Sequence, residues 1–299
     1  MSPQEPLTTQ HLSISTLTLN DNVFILELVN TKSWLDFIGD RNIGTPSDAS
    51  AYIQKILDNP NVTYWVVRLA NEKTTIGLVT FIKRDYLEYH DIGFAFLPGY
   101  AGKGYAHEAT VAVMNNLLQD YKSSHIQATT VPQNIRSIAL LKKLGLGFEK
   151  EIEIENEKLH VYSVSKDLLN INKVTQSFFS LFTNSNNRKP NFNKMNKLCI
   201  PEAVIINKTD KLHTVYNITS FIEPRQKILS DGTLTEFEEW ETNGQTEIVN
   251  CIAQRHSVYA KTGILDGKRF KQTGHKFFHF IKTNDGWKIS SVLWEDDKN

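Results

Sequence analysis

The sequence predicts a two-domain chain of α/β (α+β) class. Its N-terminal domain has a mixed sheet flanked by helices, and its C-terminal α+β domain has a curved antiparallel sheet. In the first half, strand and helix patterns follow each other in the order β-α-α-β-β-β-α-β-α-β-β. From residue 204 onward, long runs alternate aromatic or β-branched residues with polar ones, which favours antiparallel strands. A length of 299 residues suits about two domains.

In the first half, hydrophobic periodicity predicts the elements in order. Residues 12–19 alternate apolar and polar side chains as a strand, and a helical stretch begins at Asp21. A second helix covers 47–57 and ends at Asn59-Pro60. The later elements are predicted from the same periods: strands 63–68, 75–82 and 89–97, a helix 107–119, a strand 125–131, a helix 135–143, and strands 148–155 and 158–165.

The second half is predicted to begin with an amphipathic helix over 174–183 and to continue with strands. The predicted strands are 204–208, 213–222, 234–243, 246–262, 274–283 and 287–295. Asp231-Gly232, Asn243-Gly244, Asp266-Gly267 and Asp285-Gly286 indicate hairpin turns. The glutamates between them form one run, interpreted as a solvated strand face: Glu236, Glu238, Glu239 and Glu241. We therefore predict domains at 10–168 and 174–299.

Composition limits the classes of partner. The chain has 33 basic and 33 acidic residues, so it lacks the basic excess that nucleic acid or a membrane surface requires. Its two cysteines, Cys199 and Cys251, do not make a disulfide framework and favour a reducing compartment. The N-terminus does not resemble a signal peptide, and no apolar run approaches the ~18 residues of a membrane helix. We expect a cytoplasmic protein with no metal, membrane or nucleic-acid partner.

The most informative stretch is the glycine-rich run 99–106, which lies between a strand pattern and a helix pattern. Glycine lets the backbone approach a ligand closely, and a helix N-terminus attracts anions. A Walker A loop is excluded, because Gly102-Lys103 is followed by Gly104 instead of Ser or Thr. A dinucleotide fingerprint is excluded, because its third glycine would stand where His107 is. The run therefore predicts a phosphate site of another class.

At Gly102-Lys-Gly-Tyr-Ala-His-Glu-Ala109 the chain resembles the GNAT superfamily of acetyl-CoA-dependent N-acetyltransferases. More narrowly, it resembles the RimJ/RimL-like branch of ribosomal-protein N-terminal acetyltransferases. The segments 131–145 and 34–53 are similar to two further family segments. The resemblance implies acetyl-CoA as co-substrate and a primary amine as acceptor. That amine would belong to a protein N-terminus, a polyamine-like metabolite or an amino sugar.

The same resemblance implies roles for individual residues. Those expected to hold the coenzyme are Phe96, Leu97, Gly102, Lys103, Gly104, Tyr105, Ala106, Asn134 and Ser137. Asp91 occupies the place of the family's acidic base, with Glu88 and His90 as rivals. A main-chain N–H near Phe96 or Leu97 would stabilise the oxyanion. The tyrosine that often acts as general acid is replaced by Leu141, so Ser137 is the candidate acid or thiol hydrogen-bond donor.

The second half resembles the nuclear-transport-factor-like (SnoaL-like) cone folds at 178–184, at 188–190 and along 276–295. The resemblance implies a pocket inside the curved sheet. Five aromatic or histidine side chains are candidates for its lining: Tyr216, Trp240, His256, Tyr259 and Trp294. This domain would bind a ligand, form a homodimer, or act as an isomerase or hydrolase beside a regulatory first domain. A first domain that binds acyl-CoA without catalysis is the remaining alternative.

Overall fold

The computed structural model describes residues 5–120, 124–186 and 188–298. The chain forms two compact units, unit 1 (Met1–Lys166) and unit 2 (Asp167–Asn299). A continuous helix, Lys166–Ser180, occupies the segment where a break between domains was predicted at 168–174.

Within the described residues, unit 1 contains an eight-stranded sheet of order β1-β2-β3-β4-β5-β6-β8-β7. Its strands are β1 (Leu7–Thr8), β2 (Leu12–Thr16), β3 (Val62–Leu69), β4 (Thr75–Ile82), β5 (Asp91–Phe96), β6 (His125–Thr130), β7 (Gly147–Ile154) and β8 (Glu157–Ser165). Its helices are α1 (Asn22–Val29), α2 (Lys32–Phe37), α3 (Pro46–Leu57), α4 (Tyr105–Asp120) and α5 (Ile135–Lys143). Neighbouring strands are antiparallel except β5 and β6, which are parallel. The mixed sheet with flanking helices confirms the predicted class of this half.

Both faces of the unit 1 sheet are covered because its central strands carry apolar side chains on alternating sides. Val66 and Leu78 pack with α1, α2 and α3 in one buried cluster. Val67 and Val79 alternate with them along the same strands and are also buried. The helix α4 contacts β2, β4 and β5 through buried residues such as Val113. The sheet is therefore positioned from both sides.

A buried ion pair connects the start of α1 to the sheet. Asp21 is 5% exposed, and its carboxylate pairs with Arg68 of β3. Arg68 also donates to Ser15 Oγ of β2 at 2.7 Å. The second oxygen of Asp21 accepts from the backbone N and Oγ1 of Thr18, both at 2.9 Å, in a capping arrangement. One carboxylate therefore fixes the chain between the second strand and the first helix.

We expect Asp21→Ala to lower the free energy of unfolding of unit 1 by about 2 kcal/mol, because the partly exposed guanidinium of Arg68 loses its buried counter-charge and Thr18 loses its capping partner. Chemical denaturation followed by circular dichroism measures this change. Asp36→Ala is the matched control. Its carboxylate pairs with Lys32 on the exposed side of α2, so its removal should change stability by less than about 0.5 kcal/mol. Similar losses for the two variants would contradict the role given to Asp21.

Unit 2 contains a six-stranded sheet within the described residues, of order β10-β9-β14-β13-β12-β11. Its strands are β9 (Cys199–Lys208), β10 (His213–Tyr216), β11 (Leu234–Val249), β12 (Ile252–Leu265), β13 (Lys268–Thr283) and β14 (Gly286–Asp296). Its helices are α6 (Lys166–Ser180), α7 (Met195–Leu198) and α8 (Ile218–Ser230). All neighbours are antiparallel except β14 and β9. Register shifts interrupt the pairs β11–β12 and β13–β14, and such bulges bend long strands.

The core of unit 2 is rich in aromatic side chains. Phe178 of α6 packs edge-on against Phe278 of β13, with ring centroids 5.2 Å apart, and lies near Phe221 of α8. Tyr259 of β12 is fully buried in the same cluster. The sheet therefore closes over α6 and α8 through rings from both helices and strands.

The predicted strand over 213–222 is wrong after Tyr216. The helix α8 begins at Ile218, and Asn217 caps it by accepting a hydrogen bond from Ser220 N at 2.9 Å. The sequence favours a strand here because Ile218, Thr219 and Ile222 are β-branched and Pro224 lies inside the helix. Packing of Phe221 in the core outweighs these local preferences.

The predicted hairpin turn at Asn243-Gly244 is also wrong, because both residues lie inside β11. The turn comes later, around Asn250, which has φ +53°. Gly244 is needed for a close approach, since a Cβ there would lie 2.4 Å from the guanidinium of Arg255. The predicted strand 246–262 accordingly contains the end of β11, this turn and most of β12.

The glutamate run of β11 is not one solvated face. Glu239 is 9% exposed at its side chain and pairs with the buried Lys276 at 2.6 Å. Glu241 pairs with the buried Arg255 at 2.6 Å. Only Glu236, which pairs with Arg269, is strongly exposed as predicted. The bulges on either side of this segment place alternate glutamates against basic residues of β12 and β13, a pairing that composition does not reveal.

Candidate active site

The sheet of unit 1 opens between β5 and β6. The strand β5 pairs with β4 along its whole length, from Ile82↔Asp91 to Gly77↔Phe96. In the described chain, β5 and β6 pair only at Asp91↔Gln127. Beyond that pair the two parallel strands separate toward their carboxyl ends. We call the space between them the strand cleft.

Backbone amides of β5 line one side of the strand cleft. N–H groups of a strand point alternately toward its two neighbours. Leu97 N donates to Ile76 O at 2.9 Å, on the side of β4. The N–H groups of Phe94 and Phe96 therefore point toward the strand cleft, where β6 offers no ladder partner among the described pairs. Of the two predicted main-chain donors, Phe96 is directed into the cleft and Leu97 is bonded within the sheet.

Asp91 lies at the vertex of the strand cleft and is buried. Its Oδ2 accepts from Arg84 Nε at 3.0 Å, and its Oδ1 accepts from Thr129 N at 2.9 Å. In a regular parallel ladder the Thr129 N–H would bond to a carbonyl of β5, so the carboxylate replaces a backbone acceptor where the strands part. Burial raises the pKa of Asp91, and the charge of Arg84 opposes this increase without cancelling it.

The two rival bases precede Asp91 in the chain. The His90 ring stacks on Phe81 with centroids 4.6 Å apart. Burial, followed by the charge of Lys83, lowers the pKa of His90. Glu88 is exposed, and its backbone carbonyl accepts from Lys83 Nζ at 2.6 Å. His90 O also accepts from Gln127 N of β6 at 3.0 Å, whereas Asp91 meets β6 through its carboxylate.

The glycine-rich run 99–106, which we call the glycine loop, follows the carboxyl end of β5 and leads into the first turn of α4. Gly102 has φ +75° and Gly104 has φ +88°, a backbone region that side chains with a Cβ disfavour. A Cβ added at either residue would meet no atom within 4 Å, so the loop faces open space. Among the described residues, no acceptor binds the backbone N–H groups of residues 102–106. These free amides at a helix N-terminus form an arrangement suited to an anion.

The loop has a positive charge, and a carboxylate anchors the helix behind it. Lys103 has no carboxylate partner in the part of the chain that the structure describes, and its Nζ lies 5.3 Å from the ring centroid of Tyr100. Tyr105 and Ala106 form the first turn of α4. In the same turn, Glu108 accepts from Thr9 Oγ1 at 2.6 Å and from His11 N at 2.9 Å. The first turn of α4 is thereby held against the β1–β2 connection.

The helix α5 has the caps that its sequence predicts. Asn134 Oδ1 accepts from Ser137 N at 3.1 Å as the N-cap. Leu141 is 1% exposed and belongs to the core, so it cannot serve as a proton donor. The Ser137 hydroxyl lies on the first turn of α5 and is half-buried.

Of the five candidate pocket residues of unit 2, two line a cavity and three do not. Tyr216 and Trp294 line a cavity of about 600 Å³. Tyr259 lies in the core and donates to Asp296. Trp240 is 40% exposed and does not line this cavity, and His256 stacks with His275 on the surface. Sequence reasoning missed Arg225, which lines the cavity, because its segment was predicted to be a strand followed by a turn.

Among residues 5–120, 124–186 and 188–298, no helix combines the length and the apolar character of a membrane span. No group of three or more histidine, cysteine, aspartate or glutamate side chains in those ranges could hold a metal ion.

Residues 11–147 match the profile of a family described as "Acetyltransferase (GNAT) domain". A relative from Bacillus subtilis (strain 168), the "Uncharacterized N-acetyltransferase YnaD", is 30% identical over 148 residues. The match covers 48% of this chain and 86% of the relative.

Among solved structures, a GNAT-family acetyltransferase from Bacillus anthracis is 24% identical with a TM-score of 0.47. The match covers 54% of this chain and 98% of the Bacillus anthracis chain. A ribosomal-protein-S5-alanine acetyltransferase from Vibrio fischeri is 21% identical with a TM-score of 0.49. That match covers 55% of this chain and 98% of the Vibrio fischeri chain.

The identity to the Bacillus subtilis relative extends over most of that protein, and the family profile contains both the strand cleft and the glycine loop. The chain therefore belongs to the GNAT acetyltransferase family through its N-terminal half.

Proposed function

We propose that this protein transfers the acetyl group of acetyl-CoA to a primary amine, as an enzyme of the RimJ/RimL-like branch. The observation that supports this best is the glycine loop at the carboxyl end of β5, directly beside the strand cleft. A long, thin thioester carrier with a diphosphate at one end matches a slot that ends in free amides. Because acetyl-CoA is an intracellular metabolite, the proposal also places the protein in the cytoplasm.

Binding of acetyl-CoA would use mainly backbone groups. The N–H groups of residues 102–106 would donate to the diphosphate, and Lys103 would add a positive charge. The pantetheine arm would lie along the strand cleft, beside the backbone of β5 whose N–H groups face it. Asn134 and Ser137 lie at the start of α5, after the other strand of the cleft, and would contact the same arm.

The chemistry would take place toward the vertex of the strand cleft. Asp91 would accept a proton from the ammonium, directly or through one water. A carboxylate can accept about four hydrogen bonds, so its bonds to Arg84 Nε and to the N and Oγ1 of Thr129 leave capacity for a fourth. The neutral amine would then attack the thioester carbonyl and form a C–N bond. The C–S bond would break, and a proton from the amine nitrogen would pass to the departing thiolate to give the free thiol of coenzyme A.

Two further groups would support these steps. A β5 amide that faces the strand cleft, that of Phe96, would hydrogen-bond the oxyanion of the tetrahedral intermediate. The Ser137 hydroxyl would donate to the departing thiolate. A thiol pKa of ~8.5 makes that leaving group tolerable without a strong acid, so the buried Leu141 at the family's tyrosine position need not prevent turnover.

Unit 2 would serve as an accessory domain of the nuclear-transport-factor-like (SnoaL-like) type, for ligand binding or for homodimer formation. Its helix-first order and its bulged antiparallel strands support this proposal.

Steady-state assays should find acetyl-CoA turnover with at least one member of a panel of spermidine, glucosamine and a peptide with a free N-terminus. Binding of acetyl-CoA without turnover on any of these amines would instead favour a regulatory acyl-CoA-binding module. The best acceptor of this panel is then the substrate for measuring kcat/KM of variants at Asp91.

Gly104→Ala should raise the dissociation constant of acetyl-CoA by roughly tenfold or more, because a Cβ at φ +88° displaces amides that would bind a charged group. Calorimetric titration measures this constant. Gly232→Ala is the control, since Gly232 has φ +89° and equally open surroundings in unit 2. The Gly232→Ala variant has the same backbone strain, and its dissociation constant for acetyl-CoA should stay within about twofold of the native value. Equal weakening in the two variants would remove the loop from the binding site.

Asp91→Asn should lower kcat/KM by about 10²–10⁴-fold near pH 7, because the variant must wait for amine that is already neutral. With an alkyl amine of pKa ~10.4, the neutral fraction rises about tenfold per pH unit. The ratio of the native kcat/KM to that of Asp91→Asn should therefore shrink steadily from pH 7 to pH 10. Asp85→Asn, at an exposed position in the connection between β4 and β5, should follow the native profile. A deficit that is constant across pH would assign Asp91 a structural role at the vertex instead.

A further inference from the structure

The cavity of unit 2 has the size and walls of a small-molecule site. Its volume of about 600 Å³ lies within the ~300–1,000 Å³ range of ligand pockets. Most of its lining is apolar, with rings from α6, from the segment that follows α6, from α8 and from β14: Phe178, Phe182, Phe221 and Trp294. Such walls fit the body of an apolar ligand.

Two of the three cations that line the cavity are already neutralised. Lys276 pairs with Glu239, which also lines the cavity, at 2.6 Å, and its Nζ lies 3.3 Å from the ring centroid of Tyr259. Lys261 binds both oxygens of Asp296, at 2.6 and 2.8 Å. These pairs leave the third cation, Arg225, without a salt bridge of its own among the described residues, and the charge of Glu239 acts on it only at longer range.

Arg225 has no carboxylate partner among the described residues. Its guanidinium carbon lies 3.8 Å from the ring centroid of Phe221 and 5.5 and 5.6 Å from those of Tyr216 and Trp294. One nitrogen, Nη1, donates to Phe221 O at 2.9 Å, and the side chain also bonds with Tyr216. A guanidinium has five N–H donors in a planar fork, so donors remain for a further acceptor.

The sequence explains why this arginine has its position. Pro224 cannot donate the usual hydrogen bond inside α8 and disturbs the preceding turn. Arg225 follows it, and its side chain returns to the carbonyl of Phe221 four residues earlier. The fork is thereby held among three of the aromatic side chains that line the cavity. Burial lowers the pKa of Arg225, and a bound anion would counter that effect.

We propose that this cavity binds an apolar monocarboxylate with an aromatic ring, whose carboxylate is held by Arg225 and whose ring packs between the aromatic walls. A planar, bidentate acceptor matches the guanidinium fork. One negative charge matches the one cation of the cavity that has no salt bridge among the described residues, whereas a second charge would lie against residues that are already paired. The cavity belongs to unit 2 alone, so a failure of this binding would leave the acetyl-transfer proposal untouched.

The test compares 2-naphthylacetate with its carboxamide by calorimetric titration of the full-length protein. The native protein should bind the acid roughly ten- to a hundredfold more tightly than the amide. Arg225→Gln should remove this preference by weakening the acid, and it should bind the amide as before, which also shows that the cavity is intact. Arg225→Lys should show an intermediate preference for the acid, because it keeps the positive charge and loses the planar donor pair of the guanidinium.

Arg269→Gln is the matched control, since Arg269 is an exposed arginine of unit 2 that pairs with Glu236. It should leave both affinities unchanged. Circular dichroism melting of each variant checks the fold. The proposal is overturned if the native protein binds neither probe saturably, if it binds acid and amide equally, or if its preference for the acid survives Arg225→Gln.

Discussion

Within the described residues, the parallel strands β5 and β6 of unit 1 pair at a single position, and this constraint creates the strand cleft. A sheet normally satisfies its backbone groups by ladder bonds, yet beyond Asp91↔Gln127 the strands β5 and β6 part and leave amides of β5 without ladder partners. The full pairing of β5 with β4 and of β6 with β8 prevents either strand from moving to close the gap. The strand cleft is therefore built into the sheet and does not depend on a mobile loop.

The carboxylate at the vertex connects this architecture to the chemistry. Asp91 occupies the place of a backbone acceptor for Thr129 and at the same time pairs with the guanidinium of Arg84. A neutral amide could take over the hydrogen bond but not the charge. The same residue therefore combines a structural requirement with the proposed proton transfer, and the pH profile is the measurement that separates the two.

Sequence reasoning succeeded where local chemistry determines the backbone. The helix α5 has the predicted bounds because Asn134 caps its start and Gly145, with φ +90°, ends it. The glycine loop was found for the same reason. The strand cleft could not be predicted, because the separation of β5 and β6 depends on pairing between segments distant in sequence. In unit 2, packing of Phe221 outweighed a strand-like pattern, and the buried pairs of Glu239 and Glu241 depend on bulges that no local signal marks.

The helix α6 has a practical consequence for dissecting the chain. Ile171 is fully buried in the core of unit 2, and Asn172 accepts from Nη1 of the buried Arg255 at 2.9 Å. A recombinant fragment that starts at residue 174 would lack both side chains. It would leave a void beneath the sheet and remove an acceptor from an enclosed guanidinium. An excised C-terminal piece should therefore begin no later than Asp167, where the compact unit begins.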